Sequence, residues 1–176
     1  NTGTLTLGGA GDTVTFTAGV TATTQGLVNV GGNIDTNTGD MIFGNVTLTD
    51  ATSFNSGDEA MTIADIASGG NAITLESGTT MGIGEIADIS GGVTLTDAGG
   101  QATFNGALGS GVPGDILVSD SNGVDFDGAV NAGTITLTNT TGTVAFNSTL
   151  DADDLVTAGN AYNLSLLGNT TIAEQV

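Results

Sequence analysis

The sequence predicts an all-β fold of the parallel β-helix (β-solenoid) kind, with about 20 residues per coil. Three observations predict it. Short phrases alternate apolar and polar residues with period two, the mark of half-buried strands. Whole phrases return: "ATFNGAL" at 102–108, "VDFDGAV" at 124–130 and "VAFNSTL" at 144–150 place Phe104, Phe126 and Phe146 at steps of 22 and 20 residues. Composition suits strands and tight turns, with many Val, Ile and Thr, 30 Gly and a single Pro among 176 residues. Gly marks turns, and the scarcity of Pro leaves ladder donors intact. A β-sandwich, which also strings short strands between turns, is the alternative; the repetition of phrases favours the solenoid.

Along the chain, "TLTL" at 4–7 opens with a loose aliphatic–Thr–Leu phrase. "VTFTAGV" at 14–20 is the first Phe phrase, with Val14 and Phe16 facing one way and Thr13, Thr15 and Thr17 the other. "MIFGNV" at 41–46 is a shortened copy, "VTLT" at 46–49 follows it, and "TSFNSGD" at 52–58 keeps part of the pattern. "EAMTIADIASGG" at 59–70 is the most helix-like stretch, since Met61, Ile63 and Ile66 fit either period; it is read as strand. "ITLE" at 73–76, "VTLT" at 93–96 and "ITLT" at 135–138 interleave with the later Phe phrases, and "LSLL" at 164–167 is a last loose copy.

Ile135 follows Phe126, and Leu155 follows Phe146, by nine residues, so two strand phrases and their turns fill one unit. Aliphatics and Phe are expected to fill a central tube while Thr faces water. Gly, Asn and Asp are expected to take the left-handed conformations that corners need. The step from Phe16 to Phe43 is 27 residues, which breaks the period in the first half. Roughly eight or nine coils, at about 4.8 Å each, make a rod of roughly 40 Å. Residues 1–176 are read as a single solenoid section. Val176 reads onward into Asn1 with the alternation kept, so the section is expected to be a fragment or repeat of a longer array.

Phrases such as "ATFNGALGS", "VDFDGAVNAGTITLTNTTGTVAFNS" and "AYNLSLLGNTTI" resemble the β-strand repeats of giant bacterial surface proteins of the filamentous-haemagglutinin and autotransporter-passenger kind. The resemblance is clear from 93 to 172 and looser before. It implies a right-handed β-solenoid, secretion, and service as an adhesin stalk, filament or surface coat. Such repeats carry no catalytic residues, so none is carried over.

Composition closes most chemistry. The chain has no Lys, Arg, His or Cys, and its 19 acids give a net charge of −19. Nucleophile–His pairs, Schiff bases and zinc sites of the usual kind are excluded, and nucleic acid is repelled. No apolar run is long enough to span a membrane as a helix. Paired carboxylates remain: Asp125 with Asp127, or Asp151 with Asp153 and Asp154, would be the candidates of a glycan-cleaving enzyme, the third reading. Hard cations want oxygen ligands, so calcium is the one cofactor considered, though none is required. Its candidate ligands are Asp120, Asn122, Asp125, Asp127, Asp151, Asp153 and Asp154, in the acidic turns "DSNGVDFD" and "DADD". "DSNGVDFD" does not complete an EF-hand loop, since Gly123 stands too early and no Glu closes it, and "GGAGD" at 8–12 approaches the calcium-binding nonapeptide GGxGxD with Asp12 one residue early and no repeat.

Outward Thr pairs (Thr13/Thr15/Thr17, Thr47/Thr49, Thr94/Thr96, Thr134/Thr136/Thr138) would bind ice if stacked one pair per coil. "LGSGVPGD" at 108–115 is the best candidate for a ligand-contacting insertion. The expected function is a structural section of an exported bacterial surface or filament protein: a stiff, acidic, extracellular stalk, fibre or coat. Its expected partners are the same chain continued or a second copy end to end, and host or matrix glycans. An adhesin or ligand-binding β-helix contacting sugar or ice is the alternative.

Overall fold

The computed structural model describes residues 3–174 as 21 β-strands without a helix. Every pairing between them is parallel. The fold is a β-solenoid, and the antiparallel sandwich does not occur. Each coil visits three faces. In the first coil, Thr4–Leu7 lies on face I, Thr13–Phe16 on face II and Val20–Ala22 on face III. Face III builds an 8-stranded sheet. Faces I and II form one 13-stranded sheet, because strands such as Leu27–Thr36 and Val130–Thr140 run through the bend between them.

Alternation decides which side chains enter the tube. On face III, Val20, Met41, Met61 and Met81 stack in register, at steps of 20 or 21 residues. Two positions on, Phe43, Ile63, Ile83, Phe104, Phe126 and Phe146 form a second inward column. Val14, Ile34, Phe54, Leu75 and Leu95 do the same on face II. Phe54, Leu75, Ile83 and Phe126 have no exposed surface. Each side chain of this size stabilises the fold by roughly 1.5–3 kcal/mol when fully buried. Phe104, Phe126 and Phe146 stack almost flat, with ring centroids 5.2 and 4.6 Å apart and planes 9° from parallel.

Register corrects several sequence expectations. The step of 27 compares two walls, since Phe16 lies on face II and Phe43 on face III; within those faces the first half steps by 20 or 21, and the uneven steps there belong to face I. "VTLT" at 46–49 lies on face I and "VTLT" at 93–96 on face II. The same words serve both walls because each wall asks only for inward aliphatics and outward Thr. The stretch 59–70 forms short strands, Met61–Ile63 and Ile66–Ala67, as read.

Corners differ from expectation in two ways. Among the described residues no Asn or Asp takes a positive φ; eleven glycines do. And hydroxyls enter the tube. Thr36, Ser56, Ser77, Ser121 and Thr140 are buried where face II ends. Two of them cap a turn carbonyl: Ser77 donates to Glu59 O at 2.8 Å, and Ser56 donates to the same oxygen at 2.8 Å. Ser121 instead donates to the Thr140 hydroxyl at 3.3 Å, and Thr36 Oγ1 is buried without a partner among the described residues.

Candidate functional site

The acidic turn at 120–127 wraps one corner of the rod. Asp120 ends face II, Asn122 stands in the corner, Asp125 lies on face III and Asp127 follows it. Asp125 and Asp127 flank buried Phe126 and point outward together, as the alternation predicts. The four side chains do not converge. Each is engaged by a neighbouring coil, the following one or the preceding one: Asn139 Nδ2 donates to Asp120 Oδ2 at 2.7 Å, Gln101 Nε2 to Asp125 Oδ2 at 2.6 Å and Asn147 Nδ2 to Asp127 Oδ1 at 2.7 Å. Asn122 Nδ2 donates to the Gly99 carbonyl.

Asp151, Asp153 and Asp154 stand elsewhere. Asp151 is exposed on face I, stacked between Asn131 and Thr171. Asp153 and Asp154 mark the bend into face II, where Asp154 stacks on Glu174. Asp154 Oδ1 is buried without a hydrogen-bond partner. The seven candidate ligands are thus spread around all three faces. Among the described residues no three acidic side chains gather into a metal-holding group.

Local electrostatics follow from these contacts. Partial burial, and secondarily the neighbouring Asp127 charge, pushes the Asp125 carboxyl above its ordinary value. Asp88 moves the other way, because the Ser90 hydroxyl and then the Ser90 amide donate to its carboxylate. Sequence reading missed the amide partners of the acids. The signal was present: Asn139 follows Asp120 by 19 residues, Asn147 follows Asp127 by 20, and Asn160, which donates to Asn139 Oδ1 at 2.9 Å, follows by 21. Those are coil steps. An amide one coil away meets the carboxylate that a second acid would repel.

The Thr positions do not build one regular array. Thr13, Thr74, Thr94 and Thr136 share an outer column of face II, but Asn33, Ser53 and Leu117 interrupt it. Thr47 belongs to face I. The stretch 108–115 is a bulge rather than an inserted loop. Ile86 pairs with Leu108 while Asp88 pairs with Val112, so the later strand carries extra residues. The bulge leaves Val112 46% exposed.

The corner from face III to face I varies in length. Six positions separate Ala22 from Val28, but only three separate Phe43 from Val46, and three separate Ile63 from Ile66. The longer first corner overhangs the shorter ones. Beneath it lies an open notch of about 560 Å³, lined by Thr23, Gln25, Ile42, Gly44, Thr62 and Ala64 among others. No family model, curated protein or solved structure matches the chain.

Proposed function

We propose that the chain is a structural section of an exported bacterial surface or filament protein: a stiff, acidic rod outside the cell. One observation carries this reading. Parallel ladders run through the described length, and a continuous apolar core fills the coils from Ala22 to Ala152, with no second layer or domain among the described residues. Bending such a rod strains many ladders at once. The absence of Lys and Arg supports an exposed life, since proteases that cut after basic residues find no site.

Divalent cations belong to this reading as counterions. Nineteen charges over roughly 40 Å approach the charge spacing of duplex DNA, about one per 1.7 Å. The dispersal of Asp120, Asn122, Asp125, Asp127, Asp151, Asp153 and Asp154 supports ions gathered around the rod rather than one built calcium site. Both ends of the rod offer parallel strand edges, which a further coil of the same chain or another copy would pair.

Cryo-electron microscopy of the native material tests the proposal. Rungs near 4.8 Å that continue beyond this section, in a filament or surface layer, are expected. Discrete particles with both end coils capped by other folds would overturn the fibre reading.

A further inference from the structure

We infer that the notch beneath the first corner binds one residue of a neutral glycan. The inference goes beyond the structural reading: a rod whose notch stays empty is still a rod.

Its chemistry is unlike the rest of the surface. The chain carries 19 acids and no cationic side chain, yet no acidic residue lines the notch. Its floor is apolar, formed by half-buried Ile42 and by the small residues Gly44 and Ala64. Its rim is amide and hydroxyl: Thr23, Gln25, Asn45 and Thr62. Gln25 Oε1 accepts from the Thr24 amide at 3.2 Å, which fixes the side chain and leaves its NH₂ to donate. The side chains of Thr23, Asn45 and Thr62 make no hydrogen bond among the described residues.

Those groups select a ligand class. An apolar floor with a few converging polar groups is the usual composition of a small-molecule pocket, and about 560 Å³ falls within the size range of such pockets. Asn and Gln each offer donors and an acceptor, and Thr offers both. A sugar ring matches, with a C–H face for Ile42 and Ala64 and hydroxyls for the rim. Anionic ligands would meet the field of a −19 chain without any cation to hold them. A metal ion would find no carboxylate. A purely apolar ligand would bury free amides unpaired.

The experiment is ¹⁵N-resolved NMR of the full chain titrated with glucose, galactose, mannose and N-acetylglucosamine, with glucuronate as the charged control. We expect at least one neutral sugar to shift amides in 22–28, 42–46 and 62–64 at millimolar concentration, and glucuronate to bind more weakly. Ala64 is exposed at its corner, so Ala64→Phe fills the notch without entering the core. It should abolish the shifts, and Gln25→Ala should weaken binding by about fivefold, the worth of one hydrogen bond. No shift with any neutral sugar, shifts spread over other faces, equal binding of glucuronate, or shifts that survive Ala64→Phe would each overturn the inference. The rod's rung spacing would be unaffected by any of these outcomes.

Discussion

Phe126 lies between Phe104 and Phe146 with no exposed surface, so its ring has a neighbour above and below. Phe126→Ala should leave a cavity the two flanking coils cannot close, costing about 3–5 kcal/mol. Urea unfolding followed by circular dichroism would show it as a lower midpoint. Two glycines make a sharper contrast. A Cβ on Gly84 would stand 1.3 Å from the Ala64 carbonyl oxygen, whereas one on Gly44 would find its nearest atom, Thr23 Cα, at 3.4 Å. Gly84→Ala should therefore cost about 3 kcal/mol or more, since backbone must move, while Gly44→Ala should stay within about 0.5 kcal/mol. Equal midpoints for the two variants would contradict the stacking at that corner.

Asp125 and Asp88 make opposite predictions for pH. Asp125 is raised in the folded state, chiefly by burial. The folded form then holds the proton more tightly than the unfolded chain, so stability falls as pH rises from the unfolded value of 3.8 through the folded one, and the penalty persists at neutral pH. Asp125→Asn should raise the urea midpoint at pH 7, with the difference vanishing once the carboxyl is protonated. Asp88 is lowered by Ser90, so its contribution is present above 3.8 and lost as pH falls through the folded value. Ser90→Ala removes the hydroxyl donor and keeps the amide, so it should reduce that dependence without abolishing it.

At the scale of the strand, the alternation of Val14 and Phe16, or of Ile135 and Leu137, was enough to name inward and outward sides. So was the return of Phe104, Phe126 and Phe146. The wall on which a phrase sits was not legible, because faces I, II and III impose the same pattern. Only pairing distinguishes them. The hydroxyl column at Ser56 and Ser77 was hidden for a different reason: Ser and Thr read as solvent-facing until turn carbonyls are known to point inward beside them. The acids of the candidate site were legible as residues. Their amide partners stand one coil step away in the sequence, at 19 or 20 residues, and only the register turns that spacing into a contact. Asn147→Asp tests that ladder: it would set two carboxylates one rung apart, and the unfolding free energy from urea titration at pH 7 should drop by roughly 0.5–1 kcal/mol, recovering in high salt.

For the whole molecule, each coil touches only its neighbours, so cooperativity is nearly one-dimensional. Hydrogen exchange should be fastest in the coils of Thr4–Leu7 and Asn163–Leu166 and slowest in central strands such as Ile73–Ser77 and Ala102–Phe104. Uniform protection along the rod would refute this. With no cation to offset 19 acids, added salt should raise the melting temperature, and calcium and magnesium should act alike at equal ionic strength. A stoichiometric step with calcium alone would instead reveal a built site. Register also constrains joining. In two copies fused Val176 to Asn1, Leu5 would follow Thr170 by eleven positions, although face I returns only after 18 to 23. Roughly ten intervening residues should let the ladder continue.

Because every ladder is parallel, the rod has two unlike ends, and turning it over does not reproduce it. Anchored by one end, each copy would project the other outward, and a surface coated with such rods would display a single terminus. The direction of the chain would become the direction of the layer.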